Sequence, residues 1–277
     1  MSPEAELIEA ANGLAAILEA DSRPFLQRHR DANTSGAARK INKIFRDRFR
    51  KQRAEVLKGD TLRHLWETLT VFHATEADAE EDQRKAAIRA EVESSIGSLI
   101  SGFPVTGDSS ASYGAAIRQA ANAGASGITH QLGAELPDTE SFIANYVRDN
   151  GLKKLTGEID QTTVKRLASA IADAYEGGVD FDGVLGAVKS EFADFSTKRL
   201  QMIAATELND SYNASIRHFG AEAGATLKSW NIEPGACIVC VENELAGEIP
   251  IEDDFPSGDS EPTAHPLCNC SLMVHVV

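Results

Sequence analysis

All four cysteines of this 277-residue chain fall in its last 41 residues, as Cys237-x-x-Cys240 and, after a 24-residue loop, His265-Pro266-Leu267-Cys268-Asn269-Cys270. The surrounding stretch is loop-rich, with Pro234, Pro250, Pro256, Pro262 and Pro266, and has little apolar core of its own. Something other than burial should therefore hold it. Two thiols three residues apart can face one ion, and thiolate with imidazole suits tetrahedral zinc. Five candidate ligands then compete for four positions. Cys237 and Cys240 are completed either by Cys268 and Cys270, with His265 donating to a thiolate from outside, or by His265 and one of those two cysteines. Spacing leaves both sets open, beside two readings without an ion: reduced thiols in a small core, and a disulfide formed on exposure to oxidant. The loop acids Glu242, Glu244, Glu248, Glu252, Asp253 and Asp254 form no HExxH or HxE arrangement. That favours a structural ion over a catalytic one.

Size and composition set the wider frame. The length suits two domains of ordinary size, so the chain as a whole needs no metal to build a core. Hydrophobic residues at 42% and charged residues at 25% exclude a collagenous or wholly disordered chain. No apolar run approaches the length that crosses a bilayer, so no membrane is expected as a partner. The start, MSPEAELIEAANGLAAILEADSR, is acidic where a secretory signal is basic. A reducing cytoplasm is the expected compartment, with thiols or metal ligands rather than disulfides.

The formal net charge of −15 hides an asymmetry. Between Arg23 and Lys58 there are 12 basic residues against three acids, a balance of +9, whereas Asn231 to Val277 holds nine acids and no Lys or Arg. In ARKINKIFRDRFRKQRAEVL, residues Ile41, Ile44, Phe45, Phe49 and Val56 recur near helical spacing. The expected helix, 38–57, is amphipathic and turns Arg39, Lys40, Lys43, Arg46, Arg48, Arg50, Lys51 and Arg53 outward. Such a face is either simply solvated or a contact for DNA phosphates or an acidic partner.

Helical patterns are also expected at 3–20, after Asp60, through 76–100, after Pro137, after a capping Asp160, through VDFDGVLGAVKSEF, and from Ser196 to Gly220 or Gly224. TLKSWNI and SLMVHVV read as strands. Residues 103–136 are rich in Gly, Ala and Ser with weak periodicity, and read as a linker around a short helix whose Ala-rich face, 112–125, is free to self-associate or dock. The fold class expected is mainly α, with an extended helical N-terminal half and a small C-terminal α+β module like a zinc ribbon. The domain reading is 1–102, a linker region 103–136, a helical module 137–224 and a Cys/His module 225–277.

The ordered combination of ATELNDSYN on a helix, LKSWNI, CxxC, IPIEDDF and HPLCNC before a last strand resembles the phage Mu F-like minor head protein, or head morphogenesis, family. The resemblance covers about residues 138–277. It implies a structural, non-enzymatic protein of tailed-phage assembly that works with the portal and with scaffold or major capsid protein. In some members it also implies links to DNA packaging or ejection. The protein would act first in the host cytoplasm and then in the phage head, with no small-molecule substrate. By motif position Cys237, Cys240, His265, Cys268 and Cys270 match the family's Cys/His set, and Thr206, Glu207, Asn209 and Asn213 its polar helix motif. Members commonly carry Arg before the Thr-Glu pair; here Ala205 stands there, leaving Glu207 to meet Lys228 or solvent. Two other classes remain: a toxin or enzyme using a similar module, and a zinc-containing nucleic-acid-binding protein.

Overall fold

A computed structural model of the chain describes residues 25–75, 81–101, 107–136, 138–151, 157–195 and 198–276. Over these residues the protein is mainly helical, with a small three-stranded antiparallel sheet near the end of the chain. The helices are α1 (Phe25–Val56), α2 (Gly59–Thr75), α3 (Glu81–Ser101), α4 (Gly107–Leu132) and α5 (Thr139–Tyr146), which runs on as a π-helical turn over Val147–Gly151. Then come α6 (Glu158–Glu176), α7 (Phe181–Asp194), α8 (Lys198–Glu222), β1 (Leu227–Asn231), α9 (Ile238–Leu245), β2 (Ile249–Pro250) and β3 (Ser271–His275). The helix expected over 3–20 lies outside the described residues.

These elements belong to two compact units, each assembled from separated stretches of chain. One takes residues 43–110 and 152–200; the other takes 1–42, 111–151 and 201–277. These units interleave along the chain, whereas the sequence reading divides it contiguously at 102, 136 and 224. Composition changes along a chain report local character, whereas the units are set by which helices pair over long separations.

In the unit formed by 43–110 and 152–200, α3 packs along α6, and α6 along α7. Its core holds Phe45, Phe49, Leu65, Leu69, Ile88, Val92, Ile96, Leu167, Ile171, Val188 and Phe195. Asp180 caps α7 by accepting from the Gly183 N–H at 2.9 Å. Asp160 is not a cap: α6 starts two residues earlier, and Asp160 is buried on its inner face. There it meets Arg48, which is likewise buried rather than part of the outer cationic surface. Arg48 Nε donates to Asp160 Oδ1 at 3.1 Å, its Nη2 donates to Oδ2, and Gln52 Nε2 donates to Oδ1 at 2.9 Å. Burial of a charge requires such pairing, because an isolated ion loses its hydration with nothing in return. The other seven basic candidates, Arg39, Lys40, Lys43, Arg46, Arg50, Lys51 and Arg53, are exposed on α1.

In the second unit the segment expected to be a linker is a 26-residue helix, α4, whose Ala-rich face is internal. Tyr113, Ala116, Ile117, Ala120, Ala121, Ala125 and Ile128 are buried. The small residues serve close approach to α8: a Cβ added at Gly124 would sit 2.4 Å from the Tyr212 carbonyl oxygen. Ser211 of α8 also donates to the Ile117 carbonyl at 3.0 Å. The face therefore docks within the chain, and a weak apolar period is what a helix built for backbone proximity displays. Asp138 caps α5 by accepting from the Glu140 and Ser141 N–H groups.

Both expected strands form. The sheet order is β2-β1-β3, all antiparallel, with Trp230 opposite Leu272 and Lys228 opposite Val274. Gly220 of α8 brings that helix against β3, where an added Cβ would meet Val274 at 2.9 Å. Gln131 of α4 donates to the Val274 carbonyl at 3.0 Å. The sheet is thus mounted on α8 and α4, which places the Cys/His segment beside the polar part of α8.

Candidate metal centre

The turn at Pro234-Gly235 delivers the chain to Cys237, the N-cap of α9. Its sulfur makes no capping bond. Cys240 follows three residues later on the same face. The CxxC pair therefore rides the first turn of a helix, not a turn between two strands as in a ribbon. The second arm comes from residues 265–270. Cys268 N–H donates to the His265 carbonyl at 3.0 Å, closing a turn in which Leu267 takes φ 65°. Cys268 and Cys270, two apart in extended chain leading into β3, project to one side.

The two arms converge. Cys237 Sγ lies 3.1 Å and Cys240 Sγ 3.5 Å from His265 Nε2, and Cys240 Sγ lies 3.6 Å from Cys268 Sγ. Cys237, Cys240 and His265 are close enough to hold a metal ion, as are Cys240, Cys268 and Cys270, and all four cysteines are free of disulfides. Cys240 belongs to both groups. Zinc bonds of ~2.3 Å to sulfur and ~2.0 Å to nitrogen make tetrahedral edges of roughly 3.5–3.8 Å, so two of the three separations are those of donors around one ion. The imidazole is oriented for the purpose. His265 Nδ1 is 2.9 Å from the Pro266 carbonyl, which only accepts, so Nδ1 carries the proton and Nε2 turns its lone pair to the sulfurs.

The crowded thiols shift one another's titration. Hydrogen bonds from Cys240 and Cys270 pull the Cys268 thiol well below its ordinary range, while the bond to Cys268 pushes Cys240 up. One sulfur of the group is thus the favoured thiolate, stabilised by its neighbours' S–H groups.

The polar helix residues of α8 meet this segment from behind. Asn209 Nδ2 donates to the carbonyls of Cys268 and Cys270, each at 3.0 Å. Asn213 Nδ2 donates to the Cys270 carbonyl at 3.3 Å, its Oδ1 accepts from the Leu272 N–H at 2.9 Å, and Thr206 Oγ1 accepts from the Leu267 N–H at 3.2 Å. Glu207 takes a different partner: it is buried and accepts from the Tyr113 hydroxyl at 2.7 Å. Burial and the neighbouring carboxylate push the Tyr113 hydroxyl far above its ordinary range, keeping it a donor. Lys228, the expected partner of Glu207, is buried and donates to the Ser260 carbonyl at 2.7 Å. Sequence reasoning missed Tyr113 because its segment was read as linker, and missed Asn243, which bonds Ser257 at 2.8 Å and folds the long loop.

One further polar chain lies on the outward side of the sheet. Ser229 Oγ is 2.8 Å from His275 Nε2, and His275 Nδ1 is 3.7 Å from Glu248. The order is that of a hydrolytic triad, but the carboxylate stands beyond hydrogen-bond reach of the ring. Among the described residues no helix is long and apolar enough to cross a membrane.

A mainly helical protein carrying a Cys/His cluster able to hold a metal ion is the class that fold and site define. No family model, curated protein or solved structure matches the chain.

Proposed function

We propose that the chain is a structural minor head protein of a tailed phage or prophage, acting with the portal and with scaffold or major capsid protein during prohead assembly. One observation carries the reading. The two motif pieces that resemble the Mu F-like family, ATELNDSYN and HPLCNC, interlock across 59 and 61 residues of sequence through Asn209. In this reading the ion is zinc, held by four of Cys237, Cys240, His265, Cys268 and Cys270. Its work is that of a staple joining two arms of a loop-rich segment. The chain should co-elute in few copies with the purified portal protein encoded beside its gene. A chain that elutes alone, from a gene with no portal neighbour, overturns the reading.

The seven exposed cations of α1 are the part offered to packaged DNA. Affinity for a short duplex should fall by about tenfold or more between 50 and 200 mM salt, with Arg39, Arg46 and Arg53 reversed to Glu abolishing it. Salt-independent binding removes DNA from the reading. The acidic terminal region opposes a zinc-centred nucleic-acid contact. An enzyme reading rests on Ser229, His275 and Glu248, and covalent labelling of Ser229 by a fluorophosphonate would move the chain into that class.

A further inference from the structure

Thr206, Asn209 and Asn213 stand at i, i+3 and i+7, one face of α8. Their bonds to Leu267, Cys268, Cys270 and Leu272 go to backbone groups. Each bond can therefore form with no ion present. Asn209 is the central member. Both hydrogens of its carboxamide are spent on the carbonyls of Cys268 and Cys270, which fixes the backbone from which both thiols project. Asn209 and Asn213 are themselves buried, so a donor lost there leaves carbonyls without compensation from water. The opposite arm is held otherwise: the sulfur of Cys237 makes no capping bond, and it meets His265 directly.

We propose that Thr206, Asn209 and Asn213 are positioning residues of the metal centre, setting the Cys268–Cys270 arm before an ion arrives, so that the Cys237–Cys240 arm closes onto a preformed half-site. This rests on the reading that the cluster holds a metal and is independent of the phage assignment. A preformed arm spares part of the ordering cost at binding, which raises affinity without adding a ligand.

The test uses the full-length chain with zinc alone as probe, cobalt(II) as spectroscopic substitute, and amide exchange on metal-stripped protein. Asn209→Asp keeps the size of the side chain and removes both donors. Zinc affinity, measured against a chromogenic chelator, should weaken by ~10–100-fold, and the cobalt d–d envelope should change. Ser211→Ala removes a buried bond from the same helix to the Ile117 carbonyl, and should leave both unchanged. In stripped wild-type protein the Leu267 and Leu272 amides should stay protected while those of Cys240 and Val241 exchange quickly. If Asn209→Asp does not fold, Thr206→Val removes only the Leu267 bond and should give faster exchange there with a smaller loss of affinity. Equal zinc affinity and cobalt spectrum in the folded variant, or a Leu272 amide exchanging at the unfolded rate in stripped protein, overturns the proposal. Wild-type protein that takes up no zinc overturns the metal reading, and this inference with it.

Discussion

Replacing Cys240 with serine should strip the metal from the protein and lower the melting temperature of the unit that holds it by roughly 10 °C. Cys240 is the sulfur common to both metal-competent groups and is 1% exposed. An ion bridging the arms closes a loop of the 24 intervening residues plus the ligands, and a cross-link of that length removes about 3–4 kcal/mol of chain entropy from the unfolded state. For a unit of this size each kcal/mol is worth about 2–4 °C. Chelation of wild-type protein should reproduce the shift, since the variant and the chelator remove the same link. Metal analysis and thermal unfolding check both. If the thiols merely pack as a small core, the serine variant would cost about 1 kcal/mol and a chelator would change nothing.

Asp160→Ala should destabilise the unit formed by 43–110 and 152–200 by about 3–5 kcal/mol, the usual cost of removing one partner of a buried ion pair. Arg48 would lose its two-pronged carboxylate partner and Gln52 its acceptor. Water reaches neither readily, because Arg48 is 9% and Asp160 3% exposed. Replacing both members, Arg48→Met with Asp160→Leu, should regain most of the loss, as no charge then remains to be desolvated. Urea unfolding of the two variants is the measurement. A loss under about 1 kcal/mol in Asp160→Ala would mean that Arg48 swings out to solvent, restoring it to the cationic surface that the sequence pattern assigned it.

The interleaved units also change what truncation means. Removing residues 1–100 takes α1 to α3, and these contribute to both units. It cannot leave an intact C-terminal module, so the portal test calls for the full chain.

Much of the metal centre was legible without a structure. Cys237, Cys240, His265, Cys268 and Cys270 are the only thiols and a neighbouring imidazole in one short stretch, and the geometry brings them together in two overlapping groups. Strand β3 was legible because Leu272 and Val274 alternate on its buried face and leave a period of two. The caps at Asp138 and Asp180 were not picked out, and the capping role read for Asp160 falls to no side chain, because the true first turn of that helix lies two residues earlier. The α4 helix was not legible either. Its buried face is Ala, Gly and Ser, whose value lies in how near α8 can come, and nearness to another element leaves no apolar stripe.

What the sequence by itself determined is what leaves a local pattern: the apolar period of most helices and of β3, and a ligand set close enough along the chain to be counted. The tertiary structure decided the rest. Arg48 lies in a run of cations that reads as one surface, yet its environment is set by Asp160, 112 residues away. The role of Asn209 likewise appears only when the carbonyls of Cys268 and Cys270 are brought to it. Hydrogen bonds and charge pairs depend on distances of a few ångströms, and a residue carries no mark of which distant group will come that near.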